Sequence, residues 1–503
     1  MNAHYDVIVI GAGISSLTSA VILAKEGKKV CLLEQGSKAG GYIGSFSKFD
    51  HNFYTGAHYT GALGNREPFR VLLDHLGIYN AKDFCELNAD GFDELIFPDF
   101  KLAFAKGYDK TIQNILEIFP TEKVAVKKYF DLIKEVVNYI PTYKFDDKHD
   151  TDKLIKFLET PLKDVVDGLT NEPKLKAVFY AYCSLHGVLP KDVSIGFHAL
   201  VTDSIINSPS GINIHKAGVP LIDSFMLRIK GLGGDILYNE KVVSIYVDDS
   251  KATHVKTDTG KSFSCDHIIS GIHPKLTFNL INNFSFKPSF SKRINSIQES
   301  LSYFTLYTVN NDNKYYDIGK NYYYFNTYDF DKIIQEQNSV DNFGLMNFVS
   351  IKNTNNPTTF PFMIFIPDNI EHYSQWRNSS HGKRPQEYYE RMQNKAENLL
   401  NYIDRYKPGF KNSVKNYITA SPLTNMHYNN SIDGSTFGLY HSIQQTGVRA
   451  IGPRTHISNL FLTGQNTLFP GVLGSAISGL HAAGHIIGMK KMLKELKKRM
   501  LGE

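Results

Sequence analysis

Gly11 and Gly13 stand one residue apart, directly after the apolar run Tyr5-Asp6-Val7-Ile8-Val9-Ile10, and Glu34 closes a second apolar run. Residues of these types in this order can hold a diphosphate and a ribose. Gly11 permits a tight turn out of a strand, and Gly13 lets a pyrophosphate approach the backbone. Ile14, Ser15 and Ser16 open a helix whose free N–H groups and positive dipole end receive the negative charge. Glu34 is placed to accept both hydroxyl hydrogens of an adenosine ribose. Ser16 stands where the third glycine of G-x-G-x-x-G is expected. Serine still allows close helix–strand packing, but the match departs there. A lone glycine fingerprint is weak, whereas one set in strand, helix, second strand and terminal acid is specific.

The elements that must position these residues follow from periodicity. Residues 5–10 read as a buried strand. Residues 14–25 read as a helix with Leu17, Ala20, Val21 and Ala24 on one face, ended by Gly27, and residues 28–33 read as a second, parallel strand.

Gln35-Gly36-Ser37-Lys38-Ala39-Gly40-Gly41-Tyr42 comes next. An acid followed within a turn by a basic residue and a glycine doublet goes beyond a nicotinamide site. The segment resembles the flavoprotein family of phytoene desaturases, carotenoid isomerases, retinol saturases and amine oxidases. The resemblance implies FAD as the resident cofactor, with Gln35, Lys38, Gly40, Gly41 and Tyr42 against the flavin and its pyrophosphate. Residues 239–245 resemble the family segment whose valine backbone bonds the adenine, which makes that residue Val242. Near the other end, residues 459–466 deliver Gly464 and Gln465 from a strand. Gly471 and Val472 then start a helix whose N–H groups face the flavin pyrimidine edge. Gly-Ala-His58-Tyr59 and Thr463-Gly464-Gln465 resemble retinol saturase-like members. Asn466 stands where an acid is common. His58 and Tyr59 are the candidate catalytic residues: they donate hydrogen bonds or carry a proton beside the flavin, or else they only pack in a glycine-rich loop.

Composition sets limits. The 503 residues suffice for two or three domains or subdomains, and a net charge of +5 does not argue for nucleic acid. Cys31, Cys85, Cys183 and Cys265 are scattered without a C-x-x-C pair, which points to a reducing, cytoplasmic compartment with no disulfide framework and no metal site. The chain opens into the nucleotide fold without a signal peptide. The 33 Phe and 29 Tyr suit a flat apolar ligand, and equally suit a biased composition.

The expected fold is α/β: a Rossmann-like FAD-binding domain from the discontinuous segments 1–65, 211–275 and 420–489, plus an α+β substrate domain. Residues 66–210 read as a mostly helical cap over the substrate, and residues 276–419 as a sheet. The strand at 267–271 is expected to leave the nucleotide domain. Residues 321–330, rich in tyrosine and phenylalanine, either floor an apolar tunnel or fill a sheet core. Residues 353–358 read as a polar turn, and 384–406 as a charged, solvent-facing helix. Residues 470–489 read as a helix beneath the cofactor rather than a membrane span. The tail, 490–503, is a basic amphipathic helix that lies either on the inner face of an anionic membrane or in solvent.

The resemblance implies hydride exchange with a carbon–carbon double bond of a long apolar polyene or isoprenoid/retinoid-like lipid, by saturation or desaturation. NAD(P)H or another external donor supplies electrons. Two alternatives stay open: cis–trans isomerisation by reduced FAD, and a flavin-containing lipid-binding component of a membrane complex. The sequence does not define the oligomeric state.

Overall fold

The computed structural model describes residues 3–146, 150–215, 218–335, 343–352 and 356–503. Residues 353–355 of the expected polar turn lie outside these. The strand Ala3–Ile10 pairs in parallel with Val30–Leu33 on one side and Ser262–Ser270 on the other. Asp235–Leu237 extends the sheet beyond Val30–Leu33, and Leu460–Leu462 adds to Ser262–Ser270, all in parallel. Val7, Ile8 and Val9 are wholly buried, so the strand reads as a continuous apolar run rather than an alternating one. Residues 267–270, expected as a buried strand, lie inside the sheet between the first strand and Leu460–Leu462.

The first helix, Ile14–Lys25, packs against the last long helix, Gly471–Ile487. A Cβ on Gly479 would sit 2.1 Å from the Ser15 carbonyl oxygen, so the contact needs glycine there. Ser19 Oγ donates to the Gly479 carbonyl at 2.9 Å across the same contact.

A second, seven-stranded sheet is built in the order Val414–Ala420, Ser302–Asn310, Phe360–Asp368, Leu345–Ser350, Asn321–Phe325, Asp93–Ile96, Lys101–Phe104. The last two strands come from the stretch expected to be mostly helical. The strand Asp93–Ile96 pairs in parallel with Asn321–Phe325, so the cap is tied to the sheet by backbone hydrogen bonds. The cap's helices, among them Lys123–Asn138 and Ile195–Asn207, bury Val126, Phe130, Ile133 and Phe197 in a core they share with the second sheet.

Two helices are less exposed than their charge suggests. The helix Gln386–Tyr406 buries Met392, Ala396, Leu399, Leu400 and Ile403 against the second sheet and shows a mainly charged side, with Tyr389 and Tyr406, to solvent. The basic tail helix, Met489–Leu501, buries Met492, Leu493 and Leu496 in the core of the nucleotide-binding part. Part of its apolar stripe is thus covered by the protein itself, while Leu501 stays exposed. Among the described residues, no helix is long and apolar enough to cross a membrane.

Candidate active site

One cavity of about 1630 Å³ runs from the glycine turns to the second sheet. Its first end is made of backbone. Gly13 caps the helix Ile14–Lys25, and no described side chain closes that helix's N-terminus. Pro470 likewise precedes the helix Gly471–Ile487 without a side-chain cap. Two sets of unpaired helical N–H groups thus border the same cavity, an arrangement that favours bound anions. Nothing stands within 4 Å of a Cβ built on Gly13, so any side chain there would project into open cavity space. Gly464 holds φ +108°, and its N–H donates to Ser478 Oγ at 2.9 Å.

Ser16 lies behind this end and does not line the cavity. Its Oγ is buried and has no hydrogen-bond partner among the described residues. A Cβ on Gly271, in the turn after the neighbouring strand, would fall 2.0 Å from that oxygen. The glycine missing at position 16 is thus compensated by one at 271. Glu34 points its carboxylate at the cavity; one oxygen accepts from the Ala12 N–H and the other from the Gly36 N–H, each at 2.7 Å. Burial pushes its pKa up, while these two N–H groups hold it down. The backbone bonds fix the carboxylate and leave lone pairs for a ribose.

The other expected cofactor residues also line the cavity: Gly11, Ile14 and Ser15 at the first turn, Gln35, Lys38, Gly40, Gly41 and Tyr42 beyond Glu34, Val242 at one edge, and Gln465, Gly471 and Val472 at the far strand and helix. Tyr42 is pinned by donating to the Ser435 carbonyl at 2.6 Å. Open glycine cradles, two uncapped helix starts and a fixed acid fit a dinucleotide of the FAD kind.

The second end is apolar. Phe197, Leu200 and Val201 come from the cap, and Tyr303, Tyr307 and Phe365 from the sheet. None of the tyrosines and phenylalanines at 322–330 lines this cavity. Tyr323 and Phe325 instead join the cap core, and Tyr324 the core on the sheet's other face.

Between the two ends stand His58 and Tyr59. His58 Nε2 is buried without a hydrogen-bond partner among the described residues, and burial pushes the imidazole down to about 4, so it is neutral. Tyr59 is 9% exposed. Its hydroxyl meets Tyr323 Oη at 2.6 Å and reaches Asp93 Oδ2 at 3.2 Å. Asp93 was not visible as a site residue. Its partners Tyr182 and Asn321 come from other parts of the chain. The one local signal is an acid at a position flanked by Phe92 and Leu95, both buried.

Cys183, His186 and His198 also come together, all buried, with potential ligand atoms within 4.8 Å of one another. His186 Nε2 and His198 Nδ1 are paired at 3.3 Å, His198 Nε2 meets Tyr129 Oη at 2.9 Å, and burial pushes the Cys183 thiol up. The imidazoles bond each other rather than opening onto a shared vacancy.

A family model described as an NAD(P)-binding Rossmann-like domain matches residues 9–76. The chain is 28% identical to all-trans-retinol 13,14-reductase of Rattus norvegicus, over 96% of this chain and 85% of that protein. It is 23% identical to prolycopene isomerase 1, chloroplastic, of an Oncidium hybrid cultivar, over 99% and 87%. The chain is a homologue of the retinol saturase, carotenoid isomerase and phytoene desaturase proteins. Its fold is also that of putrescine oxidase in a structure bound to putrescine: TM-score 0.64 at 14% identity, over 96% of this chain and 99% of that one. The similarity to the reductase and the isomerase covers nearly the whole chain and so both ends of the cavity. The cofactor site is of the flavoenzyme kind.

Proposed function

We propose that this protein is an FAD-dependent oxidoreductase of CH–CH groups that saturates a carbon–carbon double bond in a long apolar polyene or retinoid-like lipid. Electrons come from an external donor such as NAD(P)H. One observation carries the reading: a single cavity joins an anion-binding glycine cradle to an apolar aromatic wall. At about 1630 Å³ it exceeds the roughly 300–1,000 Å³ typical of a one-ligand pocket. It has room for a dinucleotide and a lipid together.

FAD bound there supplies hydride-transfer chemistry. The chain does the rest. The backbone of Gly13, Gly41 and Gly464 and the two helix starts hold the diphosphate and ring. Glu34 orients the ribose and Val242 borders the adenine end. Phe197, Leu200, Tyr303 and Phe365 exclude water and align an extended hydrocarbon. Neutral His58 and Tyr59, where the two ends meet, face the reacting bond, with Tyr59 holding a proton at Oη. The retinol reductase and prolycopene isomerase similarities support a polyene-type substrate.

The test is anaerobic incubation of FAD-loaded, dithionite-reduced protein with all-trans-retinol and with a carotenoid, followed by product mass. Saturation adds two hydrogens. An isomerised product of unchanged mass replaces this reading with isomerisation. A colourless protein that takes up no FAD removes it.

A further inference from the structure

Saturating a double bond takes a hydride at one carbon and a proton at the other, and this inference rests on that reading. We propose that Asp93 is the proton reservoir for the reaction and that Tyr59 passes its proton into the cavity.

The geometry is a closed knot behind the cavity wall. Asp93 is 0% exposed, and among the described residues no lysine, arginine or histidine pairs with it. Its Oδ1 accepts from Asn321 Nδ2 at 2.7 Å. Its Oδ2 accepts from Tyr182 Oη at 3.0 Å and from Tyr59 Oη at 3.2 Å. Tyr323 Oη stands 2.6 Å from Tyr59 Oη. Of this group only Tyr59 lines the cavity. The chain brings a carboxyl group here from four directions: Asp93 and Asn321 from paired parallel strands, Tyr59 from beside the cofactor cradle, and Tyr182 from the cap. A buried carboxyl with no cation is a poor structural element, because desolvation opposes its charge.

Its charge state suits the task. Burial pushes Asp93 up to about 7, against the weaker pull of Asn321, Tyr182 and Tyr59, so the carboxyl gains and loses a proton near neutrality. Burial drives the phenols of Tyr59, Tyr182 and Tyr323 up as well, well above their usual range, so none is left long as phenolate. His58, with its ring centroid 4.9 Å from that of Tyr59, is neutral. Glu94, next along the strand from Asp93, and Lys320, just before Asn321, are occupied with each other at 3.4 Å.

The step balances. The Tyr59 O–H bond breaks and a C–H bond forms at the carbon that does not receive the hydride. When the carboxyl is protonated the bond reverses: Asp93 donates across the 3.2 Å contact to Tyr59 Oη, and its proton re-forms the Tyr59 O–H. A carboxylate remains, held by Asn321 and Tyr182, and it regains a proton from water between turnovers. The hydride and its two electrons come from reduced FAD, recharged by an external two-electron donor such as dithionite.

Infrared spectroscopy of the oxidised protein without substrate tests the reservoir directly. A carboxylic-acid C=O band should fade with a midpoint at about pH 7 and be missing from Asp93→Asn. In turnover with a polyene, the wild-type rate should fall above that pH. Asp93→Asn should lower the rate roughly 100-fold and remove the limb. Tyr182→Phe deletes one donor to the carboxylate and should move the limb to higher pH, which a purely structural tyrosine would not do. The absence of any carboxylic-acid band titrating between about pH 5 and pH 9 in the wild type overturns the proposal, as does a limb that stays in place in Tyr182→Phe. A titrating band in a protein that turns over no polyene leaves the carboxyl assignment standing and overturns the substrate reading instead.

Discussion

Asp93 and Asp368 lie in the same seven-stranded sheet, both at 0% exposure, and they have opposite surroundings. Asp368 accepts from Lys395 Nζ at 2.7 Å, His372 Nδ1 at 2.8 Å and Tyr373 Oη at 2.6 Å. Burial alone would raise its pKa, but the His372 hydrogen bond and the Lys395 charge bring it below the ordinary carboxylate value. Asp93 has hydroxyl and amide donors and no cation, so burial wins. Depth alone does not decide whether a carboxyl is charged; the sign of the neighbouring charge does. Asp368 ties the amphipathic helix Gln386–Tyr406 to the sheet as a permanent anion. Asp93, on the face toward the cavity, stays exchangeable.

Breaking each acid separates the two roles. The largest stability loss is expected from Asp368→Ala, which strands the buried Lys395 ammonium: about 3–5 kcal/mol by chemical denaturation at neutral pH. Asp93→Asn keeps the shape and should cost under about 2 kcal/mol in the same measurement. Acidity sharpens the contrast. Asp93 binds its proton more tightly folded, at about 7, than at the ordinary 3.8, so its contribution is full below pH 3.8 and is lost as pH rises through 7. Asp368 runs the other way: its contribution is present above 3.8 and is lost as pH falls through its lowered folded value. Denaturation curves across pH should therefore lose their neutral-side slope in Asp93→Asn and their acid-side slope in Asp368→Asn.

The cofactor end gives smaller effects. Glu34→Gln places an amide N–H₂ opposite the N–H of Ala12 or Gly36. FAD affinity, read by fluorescence on dilution, should fall roughly 10- to 100-fold, about 1.4–2.7 kcal/mol. Gly271→Ala drives a methyl into Ser16 Oγ and should lower the melting temperature by a few degrees, on the order of 1 kcal/mol. Adding Ser16→Gly should restore it. A chain cut after residue 489 should lose stability because Met492, Leu493 and Leu496 leave the core. Charge reversal at exposed Lys494 should leave stability unchanged.

The two ends of the cavity were not equally legible. Gly11, Gly13, Glu34 and the Gly40-Gly41 doublet are close in sequence and act through the backbone, so their spacing carries their geometry. Gly464 and Gly471 were found because a strand and a helix start bracket them. The compensation of Ser16 by Gly271 was hidden, since the contact joins an early helix to the turn after a much later strand. Tyr59 was recognised, but the acid behind it was not: Asp93 meets Tyr182 and Asn321 only after the cap has donated a strand to the sheet. That strand pairing was itself missed, because the short runs Asp93–Ile96 and Lys101–Phe104 carry charge at their starts and sit among helical periodicities. The tail stayed open for a related reason. A basic amphipathic helix has the same pattern whether its apolar stripe meets lipid or the protein's own core.

The cavity joins Gly13 to Gly464 and the start of the helix Gly471–Ile487, stretches far apart in the sequence. On the proposed reading, a growing chain that has not yet reached Gly464 would have half a grip on its coenzyme. Loading would then wait for the later segment, and cleavage ahead of Gly464 is expected to release the coenzyme.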